Sequence, residues 1–217
     1  MKRILKKEMV LAASPLSYLF LAAVLLTLTP GYPILVCGFF VCLGLFQSFQ
    51  TMREAGDILY SILLPIAKRD IVKGKYLFCV LIEGIAFVLI TILTLLRMTV
   101  LRDVAAYRNN ALMNANPFFL GCVLLLFAGF NSIFLGGFFK TAYRFGKPFV
   151  FFLIYMVLLV FVAEALHHIP PLAALNAFGF DHIGVQLIAF LFGLSVYILT
   201  TLLSLRLSIR RFERIDL

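Results

Sequence analysis

Charged residues are scarce in this sequence, and their scarcity restricts the class of protein. Asp, Glu, Lys and Arg make up 13% of the 217 residues, whereas soluble domains contain roughly 25%. Hydrophobic residues make up 63%, in long continuous runs, and the mean hydropathy is +1.07. Such runs are typical of a chain that lies in a lipid bilayer. Because they do not alternate polar and apolar positions, they favour helices over a β-barrel.

Motifs for catalysis, nucleotide binding and metal binding are also lacking. The segment KGK at 73–75 has neither the upstream glycine nor the Ser or Thr of a P-loop, and no H-E-x-x-H motif occurs. Glu164 and His167 are spaced i, i+3, with His168 and His182 nearby, but a metal site needs a second donor set. The four cysteines lie inside apolar runs without metal-ligand spacing, so we expect them to be small buried side chains.

The placement of the basic residues argues for a membrane protein and against a nucleic-acid-binding one. The formal net charge is +9, but the Lys and Arg flank the apolar runs and form no separate basic domain. We interpret them as topology signals and lipid headgroup contacts. All of them except Arg97, Arg102 and Arg108 lie in the N-terminus, the central loop, a turn after the fourth span and the tail. This asymmetry predicts a plasma-membrane protein with both termini in the cytosol.

The apolar runs predict an all-α membrane protein with six transmembrane helices in a single domain, 1–217. The predicted spans run from about Pro15 to Thr29, Pro33 to Met52, Lys73 to Leu101, Pro117 to Phe139, Pro148 to His167 and Ile183 to Arg206. Asn116 before Pro117 is typical of a capped helix start. At about 15 residues, the first helix is short for a span, which needs about 20.

Two further segments are expected at the membrane surface. Residues 1–13 place Met1, Ile4, Leu5, Met9 and Ala12 on one helical face and basic residues on the other, which predicts an interfacial elbow helix. Residues 168–182 contain no Lys or Arg and are broken by prolines. We expect them to form a re-entrant or interface-lying segment before helix six, with Asp181 as a cap of that helix.

The central loop, 53–75, is the longest break in the apolar sequence. Apolar residues at three- and four-residue spacing predict one stripe of a short helix: Ala55, Ile58, Leu59, Ile62 and Leu63. Pro65 ends this helix, and a second helix begins near Ala67. If the basic residues around the stripe hold it in water, it needs a surface to pack on. We expect that surface to be a separate cytosolic subunit, and the alternative is the lipid headgroups.

Glu83 is the most unusual polar residue of the predicted spans. It lies about 12 Å past Lys75 along a helix, and an ionisable residue at that depth is by default a functional-site hypothesis. A role in a translocation path is one interpretation. The structural alternative is a protonated side chain, or one hydrogen-bonded to Gln47, Gln50 or Asn131 of other helices.

The central loop resembles that of the small permease subunits of type II ABC exporters. Members of this family often read as Glu, Gly, a short apolar helix, Leu-Pro, a basic pair, Ile-Val and Gly-Lys-Tyr. The matching residues here are Glu54, Gly56, Ile58-Leu59, Leu64-Pro65, Lys68-Arg69, Ile71-Val72 and Gly74-Lys75-Tyr76. Ala67 departs from the Ser or Thr that commonly caps the next helix. The chain is most similar to the compact permeases that export phenol-soluble modulins and other amphipathic or antimicrobial peptides.

This resemblance implies a permease subunit without catalytic activity, a set of partners and two sets of functional residues. ATP and Mg would bind to separate cytosolic ABC ATPase subunits, with no cofactor on this chain, and a second permease copy, identical or related, would complete the path. The substrate would be a peptide or another hydrophobic compound. The residues expected to couple to the ATPase are Glu54, Asp57, Ile58, Leu59, Ile62, Leu63, Lys68 and Arg69. Those expected along a translocation path are Glu83, Gln47, Gln50 and Asn131.

Two other classes of function remain open from the residues alone. A membrane-embedded hydrolase would need convergent acids and histidines, which are sparse in this sequence. A non-transporting membrane anchor or immunity protein would need none. A neighbouring gene for a P-loop ATPase would separate the exporter from both.

Overall fold

The computed structural model describes residues 7–9, 15–57, 60–61, 66–108, 110–141, 144–166 and 168–215. Within these ranges every regular element is a helix, which confirms the all-α prediction. Most of the predicted elbow, 1–13, lies outside them. So do Ile58, Leu59, Ile62 and Leu63 of the central loop, together with Pro65 and His167.

Six main helices follow one another along the described chain. They are α1 (Pro15–Leu28), α2 (Val36–Glu54), α3 (Lys68–Met98), α4 (Pro117–Thr141), α5 (Gly146–Leu166) and α6 (Ile183–Glu213). Two shorter pieces lie between them. One is the helix Ala105–Arg108, between α3 and α4, and the other is the 3₁₀ helix Pro170–Asn176, between α5 and α6.

In the described part of the chain, four helices are long and apolar enough to cross a membrane, namely α3, α4, α5 and α6. The first two predicted spans differ from these four. Helix α1 is a shorter apolar helix. Helix α2 is long enough, but its second half carries Gln47, Ser48, Gln50 and Thr51, which lower its hydropathy. Length and composition therefore support four of the six predicted spans.

Helix α1 is stretched relative to an ordinary α-helix. It is α-helical over Pro15–Leu19 and continues as a 3₁₀ helix over Phe20–Leu28. A 3₁₀ helix rises about 2.0 Å per residue and an α-helix about 1.5 Å, so the segment reaches about 26 Å and not about 21 Å. The hydrocarbon layer of a bilayer is about 30 Å thick. The 3₁₀ geometry thus adds about 5 Å to the length of α1, roughly half of its shortfall from the thickness of the hydrocarbon layer.

The structure confirms two predicted helix starts and corrects one predicted cap. Asn116 caps α4, because its Oδ1 accepts a hydrogen bond of 3.0 Å from the backbone N–H of Phe119. Helix α3 begins at Lys68, directly after Ala67, so the prediction of a helix start near Ala67 is confirmed, and this helix continues without a break into the span predicted from about Lys73. Asp181 does not cap α6. The capping residue is His182, which has a left-handed backbone (φ 56°) and makes no capping hydrogen bond through its side chain.

Helix α4 lies at the centre of the described structure. In the most apolar 18-residue stretch of α4, 83% of the residues are buried within the chain, compared with 11% in α5 and 17% in α6. Helix α4 crosses α6 at very short distance where Gly121 meets Gly193. Phenylalanine rings join α2, α4 and α5, as Phe46 stacks on Phe149 with centroids 3.7 Å apart and Phe49 meets Phe138 at 5.0 Å. The other helices therefore pack around α4, and their outer faces are left for lipid or a partner.

Candidate functional site

A buried ion cluster fixes the central loop to the start of α3. Lys75 is 0% exposed, and its Nζ lies 2.7 Å from Asp57 Oδ2 and 3.0 Å from Glu8 Oε2. Lys7 Nζ lies 2.7 Å from Asp57 Oδ1 and donates a 2.6 Å hydrogen bond to Ser61 Oγ. Two cations and two anions thus join the N-terminal segment, the loop and α3.

The charges of this cluster support each other's ionised states. Burial by itself raises the pKa of Asp57, but Lys75 and Lys7 outweigh it and hold that pKa below its ordinary value. Burial likewise lowers the pKa of Lys7, but Asp57 and Glu8 outweigh it and raise that pKa above its ordinary value. Both groups are therefore charged near neutral pH, and each stabilises the position of the loop.

The structure separates the described members of the predicted coupling set. Glu54 is exposed at the end of α2, and Arg69 is exposed in the first turn of α3. Lys68 donates a 2.7 Å hydrogen bond to the backbone carbonyl of Ile215. Asp57 was expected to face the ATPase beside Glu54. The structure instead pairs its carboxylate with Lys7 and Lys75 inside the chain.

Four basic segments meet at this end of the helix bundle. The N-terminal segment contacts the loop through Lys7 and Asp57, and the tail contacts α3 through Lys68. Arg53 lies 4.9 Å above the ring of Phe145, in the turn before α5. Arg211 of α6 donates to the carbonyl of Gly136 of α4 at 3.4 Å. The segments that the charge pattern grouped together are therefore neighbours in space.

The opposite end of the bundle is closed by a buried arginine. Arg97 is 1% exposed and donates from Nη1 to the carbonyl of Thr27 at 2.8 Å. Its guanidinium lies 4.4 Å from the ring of Tyr107, and the Tyr107 hydroxyl donates to the carbonyl of Leu28 at 2.8 Å. The loop after α3 is thereby tied to the end of α1.

The segment 168–182 lies at this same end and is held by asparagine side chains. Asn114 donates from its backbone N–H to Asn176 Oδ1 at 2.7 Å and from Nδ2 to the Asn176 carbonyl at 2.8 Å. Asn116 donates to a carbonyl of the segment at 2.9 Å. No residue of the 3₁₀ helix Pro170–Asn176 is buried. The 3₁₀ helix therefore lies on the surface of the described structure.

Glu83 lies in a polar cluster formed by α3, α4 and α6. The carboxyl is 1% exposed, and its Oε2 accepts hydrogen bonds from Asn131 Nδ2 at 2.9 Å and from the Tyr197 hydroxyl at 2.7 Å. Asn131 Nδ2 also donates to Thr201 Oγ1 at 3.2 Å. The hydrogen bond to Asn131 is one that the sequence offered as an alternative, whereas Gln47 and Gln50 make no hydrogen bond to Glu83.

The cluster also contains hydroxyl-bearing residues of α6 that hydropathy does not single out in the sequence. Tyr197, Thr201, Ser204 and Ser208 follow one another along α6 at spacings of four, three and four. That spacing places them on one face, and it is the signal that would have found them. All four contribute to this cluster or to its continuation around Tyr76.

A π-helical turn in α4 shapes the cluster. Residues Phe130–Leu135 form this turn, and such turns occur frequently at functional sites. The backbone carbonyl of Asn131 accepts from Ser204 Oγ at 2.8 Å, and the Tyr76 hydroxyl lies 2.7 Å from the same Oγ. Two buried acceptors, Glu83 Oε1 and Asn131 Oδ1, have no hydrogen-bond partner among the residues that the structure describes. The cluster is thus only partly satisfied.

A groove between α3 and α6 lies beside this cluster. Its volume is about 410 Å³, and apolar side chains line most of it. Lys73 stands at one end. Tyr197 and Thr201 line the groove and also belong to the Glu83 cluster. The groove and the cluster therefore share a wall.

The cysteines match their expected role. Cys37, Cys42, Cys79 and Cys122 are all buried and free. Within the described ranges, no group of three or more His, Cys, Asp or Glu could hold a metal ion.

These features define an all-helical membrane protein whose basic segments meet at one end and whose spans carry a buried acidic group. The family model for ABC-2 family transporter proteins matches residues 3–213, and the chain belongs to that family. No curated protein and no solved structure matches the chain. The resemblance to ABC exporter permeases is confirmed at the level of the ABC-2 type permease. The chain is thus a membrane permease subunit of an ABC transporter, and its family implies association with an ABC ATPase.

Proposed function

We propose that the chain is the six-span permease subunit of an ATP-driven exporter in the plasma membrane. Two permease copies, identical or related, form the path, and two cytosolic ATPases bind ATP and Mg. The observation that carries this proposal is the family match over residues 3–213. In this proposal the stretched helix α1 and the helix α2 are the first two spans, and residues 1–13 are the elbow.

The proposed topology puts the ion-cluster end of the bundle in the cytosol. Its support is the crowding of basic segments there, which resist translocation. A cysteine at Asp103, whose side chain is 88% exposed, should react with a membrane-impermeant maleimide in intact cells. A cysteine at exposed Arg69 should react only after permeabilisation. The wild-type chain is the control because its cysteines are buried, and labelling of both positions from one side would contradict the topology.

The proposed coupling element is the central loop, which docks in a groove of the ATPase through its apolar stripe. The buried cluster of Lys75, Asp57, Glu8 and Lys7 supports this proposal, because it makes the base of the loop rigid against α3 and the N-terminal segment. A movement of the ATPase that displaces the loop would then be transmitted directly to α3. Glu54 and Arg69 are both exposed within the loop. They would set the orientation of the ATPase more than its affinity.

The test of coupling is the double variant Leu59→Asp with Ile62→Asp. Burial of each Leu or Ile is worth roughly 1.5–3 kcal/mol, so the pair should weaken ATPase binding by about a hundredfold or more. We expect the coexpressed ATPase no longer to co-purify and stimulated ATP hydrolysis to disappear, while the permease still inserts. Tyr60→Asp, on the same segment but off the stripe, is the matched control and should retain the ATPase. Normal co-purification of the double variant would refute the docking proposal.

The proposed substrates are amphipathic or antimicrobial peptides, or other hydrophobic compounds. Glu83 and Asn131 support a polar point in an otherwise apolar path, since both are buried at the meeting of α3, α4 and α6. Gln47 and Gln50 of α2 are half-buried and stay candidates for the same path without contacting Glu83.

A further inference from the structure

The Glu83 cluster is short of hydrogen-bond donors. Glu83 Oε1 and Asn131 Oδ1 are buried acceptors to which no described residue donates a hydrogen bond, and Asn131 Nδ2 is 2.9 Å from the other carboxylate oxygen of Glu83. In the described part of the chain, no Lys, Arg or His forms an ion pair with Glu83. Burying unpaired polar groups is costly, and burying an unpaired charge is costlier still. A cation that donates hydrogen bonds would both pair with a Glu83 carboxylate and supply donors to the two buried acceptors.

The groove between α3 and α6 gives this cluster a way to the surface. Its volume of about 410 Å³ lies in the range of small-molecule sites. Tyr197 and Thr201 stand between the groove and the carboxyl, and the Tyr197 hydroxyl reaches Glu83 Oε2 at 2.7 Å. A rotation of the Tyr197 side chain, which lines the groove and donates to Glu83 Oε2, would open the groove toward the Glu83 carboxyl.

We propose that Glu83 and Asn131 bind the primary ammonium group of a hydrophobic ligand, whose apolar part lies in the groove between α3 and α6. An ammonium group has three N–H donors, enough for Glu83 Oε1, Asn131 Oδ1 and the carboxylate oxygen that Tyr197 gives up. Its positive charge would stabilise the ionised form of the Glu83 carboxyl. This inference rests on the proposed export function only for its physiological meaning, since it names amine-bearing amphiphiles as the substrate class.

The chemistry of the Glu83 cluster beside the groove favours a cationic headgroup over an anionic one. Lys73, at the end of the groove, would suit an anionic headgroup. However, its Nζ is already 3.8 Å from Asp70 Oδ1, and its side chain is 41% exposed to solvent. The unsatisfied atoms of the buried cluster are all acceptors. An anionic amphiphile would leave them unpaired.

The chain contains no tryptophan, so one introduced tryptophan reports binding without background. Leu202→Trp places it on the wall of the groove, where Leu202 is 50% exposed. Ile154→Trp on α5, where Ile154 is 52% exposed, is the matched control for partition into the surrounding lipid. The purified permease in lipid nanodiscs is titrated with three quenchers that share one chain: bromododecylammonium, its trimethylammonium analogue and bromododecanoate.

We expect the primary ammonium probe to half-quench Leu202→Trp at a concentration about tenfold lower than Ile154→Trp. The trimethylammonium and carboxylate probes should not distinguish the two tryptophans. Glu83→Gln in the Leu202→Trp background should remove the difference. Tyr197→Phe should instead lower the half-quenching concentration, because it frees Glu83 Oε2. A purely structural role for Tyr197 would not strengthen binding.

Three results would overturn the inference. They are equal quenching by the ammonium and trimethylammonium probes, preferential quenching by the carboxylate probe, and tight ammonium binding that survives Glu83→Gln. If Glu83→Gln is not monodisperse, Tyr197→Phe decides, and unchanged or weaker binding then refutes the proposal. The measurement uses no ATPase and no transport, so its failure is distinct from failure of the exporter proposal.

Discussion

Replacing Lys75 by methionine should strongly destabilise the permease. Lys75 is fully buried and pairs with both Asp57 and Glu8, so the variant leaves two buried carboxylates with Lys7 alone. Removing one partner of a buried ion pair typically costs about 3–5 kcal/mol. We expect a large fall in the thermal midpoint of the detergent-purified protein and a loss of monodisperse material. Methionine keeps most of the volume, so the effect comes from the charge.

Lys73→Met is the matched control for this variant. Lys73 is two residues away in the same helix, but it is partly exposed and its nearest carboxylate, Asp70, is at 3.8 Å. An exposed pair of this kind contributes about 1 kcal/mol or less. Similar midpoints for both variants would mean that the buried cluster contributes little to stability.

The acid dependence of stability gives a second test of the same cluster. The pKa of Asp57 is lower in the folded protein than its ordinary value, which is about 3.9. Its contribution to stability is therefore fully present above about pH 4 and is lost as the pH falls through the lower, folded pKa. Lys75 contributes to this lowering, so Lys75→Met should reduce the acid dependence. A packing defect alone would leave that dependence unchanged.

The sequence predicted the helices well where one local signal decides. Continuous apolar runs gave the main helices, and Asn116 before Pro117 predicted a cap that the structure contains. The helix start predicted near Ala67 matches the start of α3 at Lys68. Residues Lys68 to Lys75 are mostly charged, and the sequence did not predict that this part of the helix buries Lys75 inside the protein. Hydropathy cannot distinguish a solvated lysine from a buried, paired one.

The sequence predicted less of the candidate site because its contacts join distant residues. Glu8 and Lys75 are 67 positions apart, and Glu83 and Tyr197 are 114 apart. No local pattern reports such pairs. Glu83 itself was found because an acid inside an apolar run is conspicuous. Tyr197 and Thr201 were not, since single hydroxyls are common in membrane helices and only their shared face indicates a cluster.

The close crossing of α4 and α6 leads to the second large expected effect. A Cβ on Gly193 would lie 2.5 Å from the carbonyl oxygen of Gly121 and 2.8 Å from its Cα. Both are backbone atoms of a buried helix, so no side-chain rotation can relieve the clash. In membrane proteins such small residues allow the close packing that holds helices together.

Gly193→Ala should therefore separate α4 from α6, at a cost of about 1–3 kcal/mol or more, and lower the thermal midpoint. Gly184→Ala is the control, because a Cβ at Gly184, in the first turn of the same helix, meets nothing within 4 Å. That substitution should leave stability unchanged or raise it by up to about 1 kcal/mol, since alanine is the better helix former. The two variants add the same methyl group to α6. The difference between their thermal midpoints would therefore measure the cost of the clash with α4. Equal midpoints would show that the helices do not approach as closely at Gly121 as the structure places them.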